Sequence, residues 1–147
     1  MREDPEYPGL IDTGRGFTVV YKGTHLYSSV APRDSVVRRI ERLSFRTKTL
    51  LFVPSLCLGY GITELLARIP DDCHILCVET DEILMDFSVK QEAVTLPRDK
   101  RLTVVRTQSR HKLLEVVRAI GTWRFRRAAF CPLSGGYHLE REVYRSL

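Results

Sequence analysis

The stretch TLLFVPSLCLGYGITELLARIP, residues 49–70, decides the fold. It opens on an apolar run, TLLFVP, suited to a strand covered on both faces, and closes on ITELLARIP, which reads as a helix. Between them lies SLCLGYG, Ser55 to Gly61. It has the form of a glycine-rich, ligand-cradling turn in which Ser55 and Cys57 stand where glycines would, while Gly59 and Gly61 remain.

The pattern repeats downstream. Short apolar strands, HILCVE, LTVVRT and RAAFCP, alternate with amphipathic segments, DEILMDFSVKQEA and RHKLLEVVRAIG. Such alternation predicts parallel strands joined by right-handed crossovers, hence an α/β fold with a Rossmann-like, mostly parallel sheet and flanking helices. Upstream, residues 1–16 carry two prolines and four acidic groups without a period, and are expected to form an irregular lead-in. Residues 17–28 predict a β-hairpin, with strands Phe17–Tyr21 and Thr24–Ser28 around Lys22-Gly23, because glycine permits the positive φ of a tight turn. Val36, Val37, Ile40 and Leu43 then recur at helical spacing, with Asp34 or Ser35 as cap candidates. One domain over residues 17–147 follows, with room for about five strands at this length.

In open α/β sheets the ligand crevice lies at the carboxyl ends of the strands, where strand order reverses. SLCLGYG sits at such an end. Glu79 follows at the end of HILCVE, in the position from which an acid bonds a ribose diol in nucleotide-binding folds. The candidate ligand-binding residues are therefore Ser55, Cys57, Gly59, Tyr60, Gly61, Glu79 and Asp81. The alternative is structural: the glycines only allow a tight strand-to-helix turn, and Glu79 or Asp81 caps the helix starting near Glu82. S-adenosylmethionine-dependent methyltransferases end their first strand on an acid followed by alternating glycines. Here the acid and the first glycine are missing, so a methyltransferase is the second reading. PLSGGYH, Pro132 to His138, offers a flexible segment that suits phosphate or a plain loop.

Other chemistries find little support. His25, His74, His111 and His138 are scattered, with no i, i+4 pair and no neighbouring carboxylate in sequence, and no Ser-His-Asp or Cys-His arrangement is visible. Cys57, Cys73, Cys77 and Cys131 lie in or beside apolar segments, as buried thiols do. The Cys73/Cys77 spacing lacks a second ligand pair, so no metal is expected. Lys and Arg number 23 against 18 Asp and Glu, a formal charge of +5 gathered in RRIERLSFR, RDKR and RFRR. These read as solvated faces; without aromatic interleaving or a recognition motif, nucleic acid is not an expected partner. No signal peptide or membrane-length apolar run is present, which points to the cytoplasm.

FVPSLCLGYGITELLARIP followed by HILCVETDEILMDFSV resembles the N-terminal Rossmann-like domain of the motility-associated factor glycosyltransferases, with their Gly-Leu-Gly-Leu-Gly-Tyr turn and a strand ending in Glu-Pro-Asp. Ser55 and Cys57 stand at that pattern's first two glycines, Gly59 and Tyr60 match, and Glu79-Thr80-Asp81 matches apart from the proline. YSSVAPRDSVVRRIERL is similar to the family's Ser-x-Tyr-Asp-Pro segment and its Arg-rich helix. The resemblance spans roughly residues 17 to 135. It implies a role in attaching a nonulosonic sugar, from an activated nucleotide, to flagellin. In that family the transfer is attributed to a downstream domain related to 6-hydroxymethylpterin diphosphokinases and opened by a Gly-Pro-Ser-Leu motif. These 147 residues hold no such domain, so for this stretch the resemblance implies an accessory domain without transferase activity of its own, partnered by a catalytic domain. The implied ligand is a nucleotide-sugar, S-adenosylmethionine, or none.

Overall fold

The computed structural model describes residues 7–91 and 96–147. The end of DEILMDFSVKQEA and the start of the following loop lie partly outside them.

Two sheets organise the chain. The first is antiparallel, in the order β1 (Gly9–Asp12), β2 (Phe17–Tyr21), β3 (Thr24–His25). The expected hairpin is present, but its second strand ends at His25 and not at Ser28, where the chain turns away toward α1; Lys22 and Gly23 both take positive φ, 50° and 74°, as a two-residue turn between right-twisted strands requires. The lead-in is not wholly irregular, however. Gly9–Asp12 pairs residue for residue with Phe17–Val20, because Gly14 and Gly16, both at positive φ, turn the chain back on itself.

Helix α1 (Pro32–Glu41) follows, and neither Asp34 nor Ser35 caps it. The helix starts earlier, with Ala31 at the cap and Pro32, which has no amide hydrogen to satisfy, in its first turn. The Ser28 hydroxyl instead accepts from the amides of Val30 and Ala31.

The second sheet is parallel throughout. The chain runs β4 (Thr49–Pro54), α2 (Ile62–Arg68), β5 (His74–Glu79), α3 (Glu82–Lys90), β6 (Leu102–Arg106), α4 (Arg110–Ile120) and, after a short 3-10 turn, β7 (Arg127–Phe130). Strand order is β6-β5-β4-β7, so four strands stand where about five were expected. The chain steps outward from β4 to β6 and then returns to the other side of β4, which places the reversal of order between β4 and β7.

The strands divide their side chains by alternation. Leu51, Val53, Ile75 and Cys77 join α1, α2, α3 and the N-terminal sheet in one core. Leu76 and Val78, with Leu50 and Phe52 beside them, meet α4 and the C-terminal helix on the other face. Only β5 is buried along its whole length; β7, at the edge, is exposed throughout. The tail, which carried no periodic signal, forms α5 (Gly136–Leu139) and α6 (Arg141–Ser146). Among the described residues no helix is long and apolar enough to cross a membrane.

Candidate functional site

SLCLGYG occupies the carboxyl end of β4 beside the reversal of strand order. Its backbone is unusual in a regular way: Ser55, Cys57, Gly59 and Gly61 have φ of 70°, 47°, 73° and 91°. Every second residue is left-handed. This conformation costs an L-residue roughly 1–2 kcal/mol and glycine nothing, so Ser55 and Cys57 hold a glycine's geometry against their own preference.

Their side chains explain why that strain is tolerated. Ser55 Oγ donates to Glu79 Oε1 at 2.8 Å, and the Leu56 amide donates to the same oxygen at 3.2 Å. Glu79 Oε2 accepts from the Asp81 amide at 3.2 Å and stands 3.4 Å from the hydroxyl of Tyr144, on α6. Glu79 is 1% exposed. The acid expected to face a ribose thus faces inward, tying the ends of β4 and β5 together. Burial raises its pKa, with a smaller push from Asp81, while the bonds from Ser55, Asp81 and Leu56 pull the other way. The Tyr144 hydroxyl donates to the Val78 carbonyl at 2.8 Å and accepts from the Thr80 amide at 3.3 Å, which fixes it beside Glu79 at the ends of the strands.

The turn's next amide, that of Leu58, donates to the Tyr27 hydroxyl at 3.0 Å. The Leu56 and Leu58 amides, which a phosphate or ribose would take in an open cradle, therefore already have protein acceptors. The Tyr27 ring meets that of Tyr60 at a tilt of 49°, centroids 4.7 Å apart, and the Tyr60 hydroxyl donates to the Phe17 carbonyl at 2.7 Å. The N-terminal sheet lies over the turn as a lid of side chains. Cys57 is fully buried and its thiol is pushed up to about 12, chiefly by burial, which makes it an inert core group rather than a nucleophile.

Gly61 and Gly136 are also accounted for by packing. A Cβ on Gly61, the cap residue of α2, would come within 2.6 Å of Val36 Cγ1 and 2.7 Å of Ile40 Cδ1, both on α1. A Cβ on Gly136 would overlap the Ser55 hydroxyl. Ser134-Gly135-Gly136 thus presses against the turn from the β7 side, and the Gly135 amide donates to Leu26 O at 2.6 Å.

Asp81 belongs to a different place. Its Oδ1 caps α3 by accepting from the Leu84 amide at 3.1 Å, and its Oδ2 accepts from the Tyr21 hydroxyl at 2.8 Å with Lys22 Nζ 3.9 Å away. It opens onto a polar crevice of about 850 Å³ that also meets Arg106, Gln108 and Glu140. The seven candidates are thus one turn-and-acid unit, buried except for the half-buried Gly59 and Tyr60, with Asp81 on its outer side. Tyr27 and Tyr144 complete the unit and were not legible as part of it, since both arrive from elements with no nucleotide-fold signature.

The remaining groups stay apart. His74 is buried with Nε2 2.7 Å from Thr103 Oγ1, and His25 is exposed. His111 does have a carboxylate partner, Glu115 Oε1 at 3.1 Å one helical turn on, contrary to the expectation; both side chains are exposed. All four cysteines are free and buried. Among the described residues no group of three or more His, Cys, Asp or Glu is placed to hold a metal.

Comparison with known proteins adds a sequence relative. An uncharacterized protein of Treponema pallidum (strain Nichols) is 31% identical over 137 residues, which cover 93% of this chain and 24% of that protein. The chain thus spans about a quarter of the relative's length. No family model matches the chain, and no solved structure matches it.

Proposed function

We propose that this chain is an accessory domain of the kind found at the front of flagellin-modifying, nonulosonic acid glycosyltransferases, with a role in assembly and no transferase activity of its own. The observation that carries the non-catalytic part is the internal satisfaction of the turn. The groups a nucleotide would use are already bonded: Glu79 accepts from Ser55, Asp81 and the Leu56 amide, and the Leu58 amide donates to Tyr27. A ligand entering there would have to break these buried bonds before making its own. The motif match at Gly59, Tyr60, Glu79 and Asp81 supports the glycosyltransferase context. A match covering only a quarter of the Treponema relative fits one module of a longer chain.

On this reading the partners are a catalytic domain, in the same chain or separate, and flagellin through it. The test is reconstitution with nucleotide-sugar and flagellin. The chain alone transfers no sugar, and adding it to the catalytic portion of such a transferase raises transfer; transfer by the chain alone would refute the proposal. The methyltransferase reading makes the opposite claim about the turn. It requires S-adenosylmethionine to bind with an affinity that Glu79→Gln abolishes, measured by calorimetry.

A further inference from the structure

The arginine-rich segment of α1, read from sequence as a solvated face, forms one wall of a cleft of about 500 Å³. Arg38, Arg39 and Arg42 line it on one side; Ser134, Gly135 and His138 line it on the other. We propose that this cleft binds a small phosphorylated molecule, with the three guanidinium groups holding the phosphate.

The charge balance points that way. No Asp or Glu lines the cleft, and none of the three arginines is in an ion pair among the described residues. Arg33, on the same helix, shows the contrast, since it is neutralised by Glu64 at 2.7 Å. The helix dipole favours cations near a C-terminus and accounts for basic residues in the last turn. It does not account for their facing Ser134 and His138 across a cleft.

The other polar groups are arranged as donors. Ser28 Oγ accepts from two amides, at 3.2 Å each, which leaves its own proton to give. His138 Nδ1 lies 2.7 Å from Arg141 Nη2; a guanidinium only donates, so this nitrogen accepts and the ring proton sits on Nε2. Arg39 Nη2 donates to Leu133 O at 3.1 Å, which ties down one end of the guanidinium and leaves its remaining N–H groups to give. Guanidinium, hydroxyl and imidazole N–H donors without a competing carboxylate match the three oxygens of a phosphomonoester. Leu26, Val36 and Pro132 give the same cleft an apolar flank, which suits the organic part of a sugar phosphate or mononucleotide. The cleft lies on the α1 side of Ser134-Gly135-Gly136 and meets the turn unit through Tyr27, while Ser55, Glu79 and Asp81 do not line it, so its occupation leaves the Ser55–Glu79 bond intact.

The test is calorimetric titration of the whole chain at low salt with inorganic phosphate, glucose 1-phosphate and adenosine 5′-monophosphate. Arg38→Ala, Arg42→Ala, Arg46→Ala and Glu79→Gln are compared with the wild type, and thermal unfolding confirms that each variant is folded. The expected result is saturable binding of at least one probe, weakened about tenfold by Arg38→Ala and by Arg42→Ala, as loss of a charge-assisted bond to phosphate implies. Arg46→Ala and Glu79→Gln leave it unchanged. Preference among the three probes identifies free phosphate, sugar phosphate or nucleotide as the source of the anion. Absence of saturable binding, or binding that both arginine variants retain, overturns the proposal. So does binding confined to a single-stranded oligonucleotide with affinity rising with its length, which would make the arginines a general basic face. Loss of binding in Glu79→Gln alone would instead contradict the reading of the turn as closed.

Discussion

Replacing Ser55 by glycine separates a structural turn from the remnant of a ligand cradle. Both descriptions agree that position 55 is left-handed, at φ 70°. If the serine were merely a tolerated replacement, Ser55→Gly would relieve roughly 1–2 kcal/mol of backbone strain and stabilise the fold. In the structure, however, the hydroxyl donates at 2.8 Å to a carboxyl that is 1% exposed. A bond to a charged group contributes about 1.5–3 kcal/mol, and its loss leaves Glu79 short of a donor where water does not reach. Glycine also adds roughly 0.4–1 kcal/mol of unfolded-state entropy. The sum is a net destabilisation of about 1–2 kcal/mol, or roughly 2–8 °C in midpoint for a chain of this size. Urea unfolding followed by circular dichroism at neutral pH measures it. A Ser55→Gly variant more stable than the wild type would refute the assignment of Ser55 as the partner of Glu79.

Other consequences follow from the same packing. Gly61→Ala places a methyl group against Val36 and Ile40 at φ 91°, and should cost about 2–4 kcal/mol by overpacking plus left-handed strain, read by the same unfolding curve. Asp81→Ala removes the α3 cap and the partner of the Tyr21 hydroxyl, costing about 2–3 kcal/mol and accelerating amide exchange in β2 and β3. Because burial raises the Glu79 pKa in the folded state, the native protein holds this proton to higher pH than the unfolded chain. The resulting stabilisation is complete below the ordinary carboxylate range and is lost as pH rises through the raised value. Stability measured relative to Glu79→Gln should therefore fall with rising pH in the weakly acid range, and a rise would contradict the shift.

The parallel sheet was legible because nothing else competes with its pattern. HILCVE is apolar almost end to end, and β5 is buried at every position, while the helices between strands carry a clear period. The β1 strand was not legible, since GLID is short and its pairing depends on a Gly14–Gly16 turn that propensity alone does not reveal. The cap of α1 was misplaced because Pro32 starts the helix before the acidic residue that would ordinarily mark it. At the candidate site, the turn and its acid could be found by spacing, but not the direction in which the acid points. That direction is set by Ser55 and by Tyr144, which lies 65 residues beyond Glu79 on a helix without a sequence signature.

The central claim is that Glu79 closes the strand ends from within instead of awaiting a ligand. Thermal unfolding of wild type and Glu79→Gln, each with and without saturating S-adenosylmethionine or nucleotide-sugar, tests it most directly. The midpoint should fall by about 4–8 °C in Glu79→Gln, since the amide nitrogen would meet the Asp81 N–H donor to donor, and no ligand-induced rise should depend on Glu79. An unchanged midpoint, together with a ligand-induced rise in the wild type that Glu79→Gln abolishes, would contradict it.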